Sequence, residues 1–249
     1  MILGPTAKVC FICTMKDFVT KALRGRKVLL GRDFYQGRQI RRSRIDYGNR
    51  FANWVFCPDL INENAVVYSF GVGGDVSFDL DLIKNFKLHV HAFDPSPGSI
   101  EWVKKQQLPE EFHFYPYGLA AYDGNIQFAE PLEPGVHSLR MIHADGDSIG
   151  ETKIHELPVH RLSTVMQKLG HSRIDILKMD IEGAEYTVVE DILEADFEIS
   201  QILIEFHHRF SNIGIEKTRQ SIRKLNSAGY KIFNVSASGE EISFIHTSV

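Results

Sequence analysis

From Ala65 to its end the chain alternates short apolar runs, rich in β-branched residues, with longer amphipathic segments. That rhythm belongs to a parallel sheet covered by helices, because such strands are buried on both faces and each crossover carries a helix. Residues 66–70, 88–93, 112–119, 174–179 and 201–206 are predicted strands. Helices are predicted between them. Ile100 and Val103 keep a helical interval within 99–107, and Ala184, Val188, Val189, Ile192 and Leu193 form one stripe within 182–194. A third helix covers 163–169, and a fourth, carrying Ile215, Thr218, Ile222, Leu225 and Ala228, stops at Gly229.

Beyond Gly229 the pattern changes to two strand-like runs, 230–235 and 241–246, split by Ser236, Ala237, Ser238 and Gly239. These read as a hairpin. Five strands and this pair predict an α/β fold: a Rossmann-like, doubly wound, seven-stranded sheet, mostly parallel, with an antiparallel C-terminal hairpin. Residues 1–64 show no clear period and carry Gly25, Gly31, Gly37 and Gly48 among basic residues, which predicts a mixed helical cap with loops. The stretch 129–156, with two prolines and no sustained period, reads equally as a substrate lid or as a plain insertion.

The formal net charge of -4 hides a division. Residues 1–50 hold 12 Lys and Arg against 3 Asp and Glu, whereas residues 51–249 hold 16 against 29. A basic arm is joined to an acidic body. The sequence pI near 6.3 argues against a general nucleic-acid-binding surface, while the arm (Arg24, Arg26, Arg38, Arg41, Arg42, Arg44) suits either an anionic partner or a solvated face paired with the body. Cys10, Cys13 and Cys57 are an odd set without zinc-finger spacing, so they read as ordinary thiols in a reducing, cytoplasmic setting. The apolar run 9–12 is interrupted by Lys16 and Asp17, too early for a membrane span of ~20 residues.

The first predicted strand runs into Ser69-Phe70-Gly71-Val72-Gly73-Gly74-Asp75. Glycines there let the backbone turn sharply and approach a nucleotide-like ligand ahead of a helix N-terminus. The second strand ends in Phe93-Asp94-Pro95, placing a carboxylate where it can accept hydrogen bonds from ribose hydroxyls. Asp94 could instead be a helix N-cap before Pro95. Val76 stands where a dinucleotide loop wants its third glycine, which disfavours a diphosphate ligand. S-adenosylmethionine, whose sulfonium is cationic and which has no phosphate, suits a loop carrying Asp75 and Asp79.

The most informative stretch is Ile174-Asp175-Ile176-Leu177-Lys178-Met179-Asp180-Ile181-Glu182-Gly183-Ala184-Glu185. A buried strand running into Asp180 and Glu182 puts two carboxylates at a carboxyl edge, where open α/β sheets bind ligands. The next strand ends Ile204-Glu205-Phe206-His207-His208. Asp180, Glu182, Glu205 and His207 can therefore converge, as a general base for a substrate hydroxyl or as hard ligands for a divalent cation, with Asp180 and Glu205 the metal candidates. The plainer reading leaves Glu182 and Glu185 as first-turn helix acids and His207 as a core residue.

The run 174–185 resembles the signature of FkbM-type S-adenosylmethionine-dependent methyltransferases. Val67-Tyr68-Ser69-Phe70-Gly71-Val72, His91-Ala92-Phe93-Asp94-Pro95-Ser96 and Leu157-Pro158-Val159-His160-Arg161-Leu162 resemble the related methyltransferase-like group. The resemblance covers residue 51 onward. It implies a class I methyltransferase domain over 51–249, and the basic N-terminal cap or arm, 1–50, lies outside it. It makes Ser69, Phe70, Gly71, Gly73 and Asp75 the cofactor loop, Asp94 and Pro95 the ribose edge, and Tyr117, Gly118 and Leu119 the adenine edge. Lys178 and Asp180 would face the methionine part, with Asp180, His207 and Glu182 as catalytic residues. The expected reaction is O-methylation of a small-molecule or sugar hydroxyl; a homodimer is also expected. Ser69, where many class I enzymes carry an acid, and Asp75, in place of their third glycine, also suit a catalytically silent binding domain. A nicotinamide-dependent oxidoreductase is a third reading, against which the sequence lacks an evident Tyr-x-x-x-Lys relay.

Overall fold

The computed structural model describes residues 11–31, 33–50, 52–129, 140–141, 154–210 and 212–249. Helix α1 (Phe11–Leu29) is followed by an antiparallel pair, β1 (Ile45–Tyr47) and β2 (Trp54–Phe56), and a single 3-10 turn at Pro58–Leu60. Then come β3 (Val67–Phe70), α2 (Ser77–Phe86), β4 (Val90–Phe93), α3 (Pro97–Lys104), β5 (Phe112–Tyr115), β6 (Gly118–Leu119), β7 (Gly124–Ala129), β8 (Arg140–Met141) and β9 (Ile154–His160). The chain ends with α4 (Leu162–Leu169), β10 (Arg173–Met179), α5 (Glu185–Ala195), β11 (Glu198–Glu205), α6 (Gly214–Ser227), β12 (Tyr230–Val235) and β13 (Glu241–His246).

Seven strands form the main sheet in the order β12-β13-β11-β10-β3-β4-β5. Strands β11, β10, β3, β4 and β5 are parallel; β13 runs antiparallel to both β11 and β12. The expected doubly wound sheet with its closing hairpin is therefore present. Strand order reverses between β3 and β10, so the crevice of such a sheet opens above the carboxyl ends of these two strands.

The period-two alternation of the strands divides the core. Leu177, Ile202 and Ile204 pack on one face with Val165 of α4, Val189 of α5 and Leu225 of α6. Ile176 and Leu203 pack on the other with Phe78 and Leu82 of α2 and with Trp54 and Phe56 of β2. Each such fully buried side chain contributes about 1.5–3 kcal/mol. Gln201 crosses this second face without loss, because its amide accepts from Cys57 N (2.7 Å) and donates to Cys57 O (3.1 Å).

Three features depart from the sequence reading. The predicted strand 112–119 is split at Pro116, which has no N–H for a ladder: β5 stops at Tyr115 and β6 restarts in a second, four-stranded sheet of order β6-β9-β7-β8. That sheet takes in the ends of the 129–156 stretch, most of which, like Cys10, lies outside the described residues. The β1–β2 pair replaces loop in the predicted cap. Part of the basic arm is also built into the body: Phe34 is buried in the core, Gln39 N and Ile40 N donate to Ile232 O along β12, and Arg42 donates to Val249 O. Among the described residues no helix is long and apolar enough to cross a membrane.

At the β4–β5 edge the sheet carries an imidazole stack. His91 lies opposite His113, their rings 5.2 Å apart, and His171 meets His91 edge-on at 4.9 Å. Tyr115 and Tyr68 close the cluster through hydrogen bonds to His91 Nδ1 and His171 Nδ1. Burial, reinforced by the neighbouring imidazoles, pushes His91 down to about 4; burial also lowers His113 and His171. The unfolded chain therefore binds more protons than the folded one between pH 6.5 and about 4, and stability present above that window is lost as pH falls through it. Thermal unfolding of the wild type is expected to drop more steeply with acidification across this window than that of His91→Gln; parallel curves would contradict this account.

Candidate active site

Three adjacent parallel strands carry their ladders one residue past their ends: Gly71 N donates to Phe93 O (2.9 Å), Asp94 N to Tyr115 O (3.2 Å) and Asp180 N to Phe70 O (3.1 Å). The glycine loop, Asp94 and Asp180 are thereby held level at one edge. A cavity of about 280 Å³ opens there. Its lining includes Phe70, Gly71, Gly73, Asp75, Asp94, Pro95, Gly118, Leu119, Lys178, Asp180, Glu182 and Glu205. These residues, scattered over 136 positions in the reading of the sequence, share one wall. Three expected members do not: Ser69 is fully buried in β3, its hydroxyl beside the Asp79 carboxyl rather than in the cavity, Tyr117 is turned toward Phe93 and His160, and His207 is buried against Glu185, next to the lining carboxylates Asp180 and Glu182.

Gly71 has φ +88°, and a Cβ there would lie 2.0 Å from Asp180 O. Only glycine fits. Gly73 (φ +55°) has nothing within 4 Å of such a Cβ, so its bare backbone faces open cavity. Asp94 anchors the loop. Its Oδ2 accepts from Val72 N (3.0 Å), Gly73 N (2.9 Å) and Ser99 Oγ (2.9 Å), and its Oδ1 from Ser96 N (2.8 Å) and Ser96 Oγ (2.6 Å). The helix-cap alternative for Asp94 fails, since the residue before α3 whose side chain accepts from its first turn is Ser96. Lys178 supports the same loop from below: Nζ donates to Gly71 O (2.7 Å) and Phe70 O (3.3 Å) and sits 5.1 Å from the Trp54 ring centroid.

The turn from β10 into α5 is the second built element. Glu182 adopts left-handed φ +53°, unusual for a residue with a side chain. Its conformation is enforced by Glu185, which is fully buried and whose Oε1 accepts from Ile181 N (3.1 Å), Gly183 N (3.2 Å) and His207 Nδ1 (2.8 Å). Glu185 thus does more than favour a first turn. It fixes the imidazole so that Nε2 points toward Asp180 Oδ1 (3.7 Å) and Glu182 Oε2 (3.6 Å).

Electrostatics assigns the protons. Burial opposes the imidazolium of His207, but the Glu185 hydrogen bond and the Asp180 and Glu182 charges outweigh it and push it up to about 10. As a free side chain His207 therefore favours its cationic form, which weighs against a part as proton acceptor. Burial raises Glu182 to about 7. Burial and neighbouring carboxylates likewise raise Glu205, which faces Glu241 across the β11–β13 register, and burial raises Asp180. Asp79 is buried beneath the loop and raised to about 6, held back by the nearby Lys178 ammonium.

Several contributors were invisible in the sequence. Asn53 and Trp54 reach the cavity from beside and within β2, and Ile126, Phe128, Leu157 and Val159 form an apolar wall from the second sheet. Glu241 reaches it because β13 inserts next to β11.

A glycine-cornered loop tied to an acid on the next strand, above an acidic turn on the strand beyond, defines a ligand-binding α/β enzyme site. Comparison places it more closely. Residues 59–232 match the model of the methyltransferase FkbM domain, and the chain belongs to that family. A human protein, "Probable methyltransferase-like protein 24", is 26% identical over 180 residues, covering 68% of this chain and 42% of that protein. The rat protein of the same name is 24% identical over 187 residues, covering 71% and 44%. The chain thus spans less than half the length of these curated relatives. The Methanococcus jannaschii fibrillarin pre-rRNA processing protein aligns over 86% of this chain and 85% of its own, with 10% identity and a TM-score of 0.42.

Gly71→Ala is expected to cost at least about 2 kcal/mol, because left-handed strain adds to a backbone clash, and to lower the unfolding midpoint by several degrees. Gly73→Ala, strained but not crowded, should cost about half of that or less. Differential scanning calorimetry of the two variants checks the order, and an equal or reversed order would contradict the assignment.

Proposed function

We propose that the chain is an S-adenosylmethionine-dependent methyltransferase that O-methylates a hydroxyl of a small molecule or sugar. The observation that carries this reading is the convergence of Asp94, the glycine loop and Asp180 at the sheet's switch point. The donor set fits the cofactor. Two of the five donors to Asp94, the Ser96 and Ser99 hydroxyls, can rotate away and leave their acceptor sites to ribose hydroxyls. Pro95, Gly118 and Leu119, with the apolar second-sheet wall, suit a flat ring. Asp75, Asp79, Asp180 and Glu182 in one cavity suit a ligand bearing sulfonium and ammonium charges.

When bound, the cofactor supplies an electrophilic methyl group on sulfur. The chain's part is to orient the acceptor, exclude water and receive the hydroxyl proton. The Asp180 and Glu182 carboxylates line the cavity and can take that proton. His207 cannot while it carries its own, and acts on them as an adjacent cation. Holding acceptor and methyl group together is itself worth several kcal/mol of the barrier.

Isothermal titration calorimetry with S-adenosylmethionine and S-adenosylhomocysteine tests the reading. Saturable binding of both is expected, weakened about tenfold or more, about 1.4 kcal/mol, by Asp94→Ala. Absence of heat with either compound at millimolar concentration would overturn it.

A further inference from the structure

We propose that Asp180, Glu205 and His207 hold a divalent cation of the hard, oxygen-preferring class, Mg²⁺ or Mn²⁺, which binds the oxygen of the methyl acceptor. The proposal rests on the methyltransferase reading and deepens it. Asp180 and Glu205 stand at the carboxyl ends of two paired parallel strands, β10 and β11, with Met179 opposite Ile204, and His207 follows two residues later. Each of the three offers one ligand atom, and these atoms all lie within 4.8 Å of one another. Around an octahedral ion of this class neighbouring ligand atoms are about 3 Å apart and opposite ones about 4.2 Å, so a cation fits among them with small side-chain adjustments.

Carboxylates clustered at a sheet edge would not by themselves make a site. The independent observation is His207. Its side chain is more than nine-tenths buried, and Nδ1 is committed to Glu185, whose own side chain is wholly inaccessible. That leaves Nε2 aimed at the Asp180 and Glu182 oxygens at 3.7 and 3.6 Å. Both separations are too long for a hydrogen bond. The polar atoms of so buried a side chain normally have partners, whereas Nε2 makes no hydrogen bond and faces a gap bordered by carboxylate oxygens. A carboxylate on one ring nitrogen that frees the other for a ligand is also the arrangement that orients metal-binding histidines; the cation takes the place of the Nε2 proton, which leaves to solvent. Glu185 is thus the positioning residue of the site.

Charge points the same way. Asp180, Glu182, Glu205 and Glu241 all line the cavity, and Lys178, the one basic residue among the described lining residues, is occupied by the carbonyls of Phe70 and Gly71. Three protein ligands leave about three positions of an octahedral shell for water and the acceptor. A hydroxyl bound there would lose its proton more readily, to the Glu182 carboxylate that lines the cavity and is not among the three ligands, and would be fixed relative to the cofactor edge.

Mn²⁺ binding to the full chain, followed by loss of the free-ion electron paramagnetic resonance signal, tests the proposal. One ion per chain is expected, displaced by Mg²⁺, with affinity reduced about tenfold or more in Glu205→Gln and in His207→Gln and unchanged in Glu216→Gln, an exposed ion-pair variant on α6. If His207→Gln fails to fold, Glu205→Gln, which keeps side-chain shape and removes only charge, decides. No saturable Mn²⁺ binding at millimolar concentration, or equal binding by wild type and Glu205→Gln, would overturn the site. S-adenosylhomocysteine calorimetry on the same samples separates the two claims. Nucleoside bound without Mn²⁺ overturns the cation alone, whereas Mn²⁺ bound without the nucleoside upholds the cation and overturns the methyltransferase reading.

Discussion

The site depends on one carboxylate. Asp94 receives two backbone N–H groups from the loop after β3 and two hydroxyls and one N–H from the start of α3. It therefore ties two strand ends and a helix into one rigid corner. Charge-assisted hydrogen bonds of this kind are individually stronger than neutral ones and hold the loop open in a shape a ligand can enter. Lys178 braces the loop from the opposite side through the Phe70 and Gly71 carbonyls. With Asp180 O packed where a Gly71 side chain would be, neither the loop nor the β10 turn can shift without the other.

Glu185 does for the β10–α5 turn what Asp94 does for the loop. One of its oxygens accepts from two backbone N–H groups and an imidazole, holding Glu182 in a left-handed conformation and aiming His207 at the carboxylates. Two buried acids thus orient the half-buried ones that line the cavity. The result is a cavity with an apolar wall on the second-sheet side and a dense carboxylate wall at the ends of β10 and β11. Such a field favours cationic groups and disfavours anionic ones, which matches a sulfonium cofactor better than a phosphate-bearing one.

Much of this was legible in the sequence because strands of a parallel sheet are marked by continuous apolar runs whose ends are readable. Gly71, Asp94, Asp180 and Glu205 each follow such a run, and each lies at the carboxyl edge. What was not legible depends on contacts between distant segments. Nothing near Glu241 shows that β13 inserts against β11 and faces it with Glu205. The second sheet was hidden because β6 and β8 are two residues long and Pro158 interrupts the pattern of β9. Ser69 was misplaced by a single residue of alternation: Phe70 lines the cavity while Ser69 turns toward Asp79 beneath it. The setting of His207 was not legible either, because it depends on Glu185, which reads in the sequence as an ordinary first-turn acid.

The central claim is that the Asp94 corner is a ribose-binding edge held ready by exchangeable hydroxyls. A crystal structure with S-adenosylhomocysteine tests it most directly. The account predicts the ribose hydroxyls on Asp94 in place of the Ser96 and Ser99 hydroxyls, with the Val72 and Gly73 N–H bonds retained and the adenine against Pro95 and Leu119. A ligand bound elsewhere, or bound here with all five protein donors still on Asp94, would contradict it.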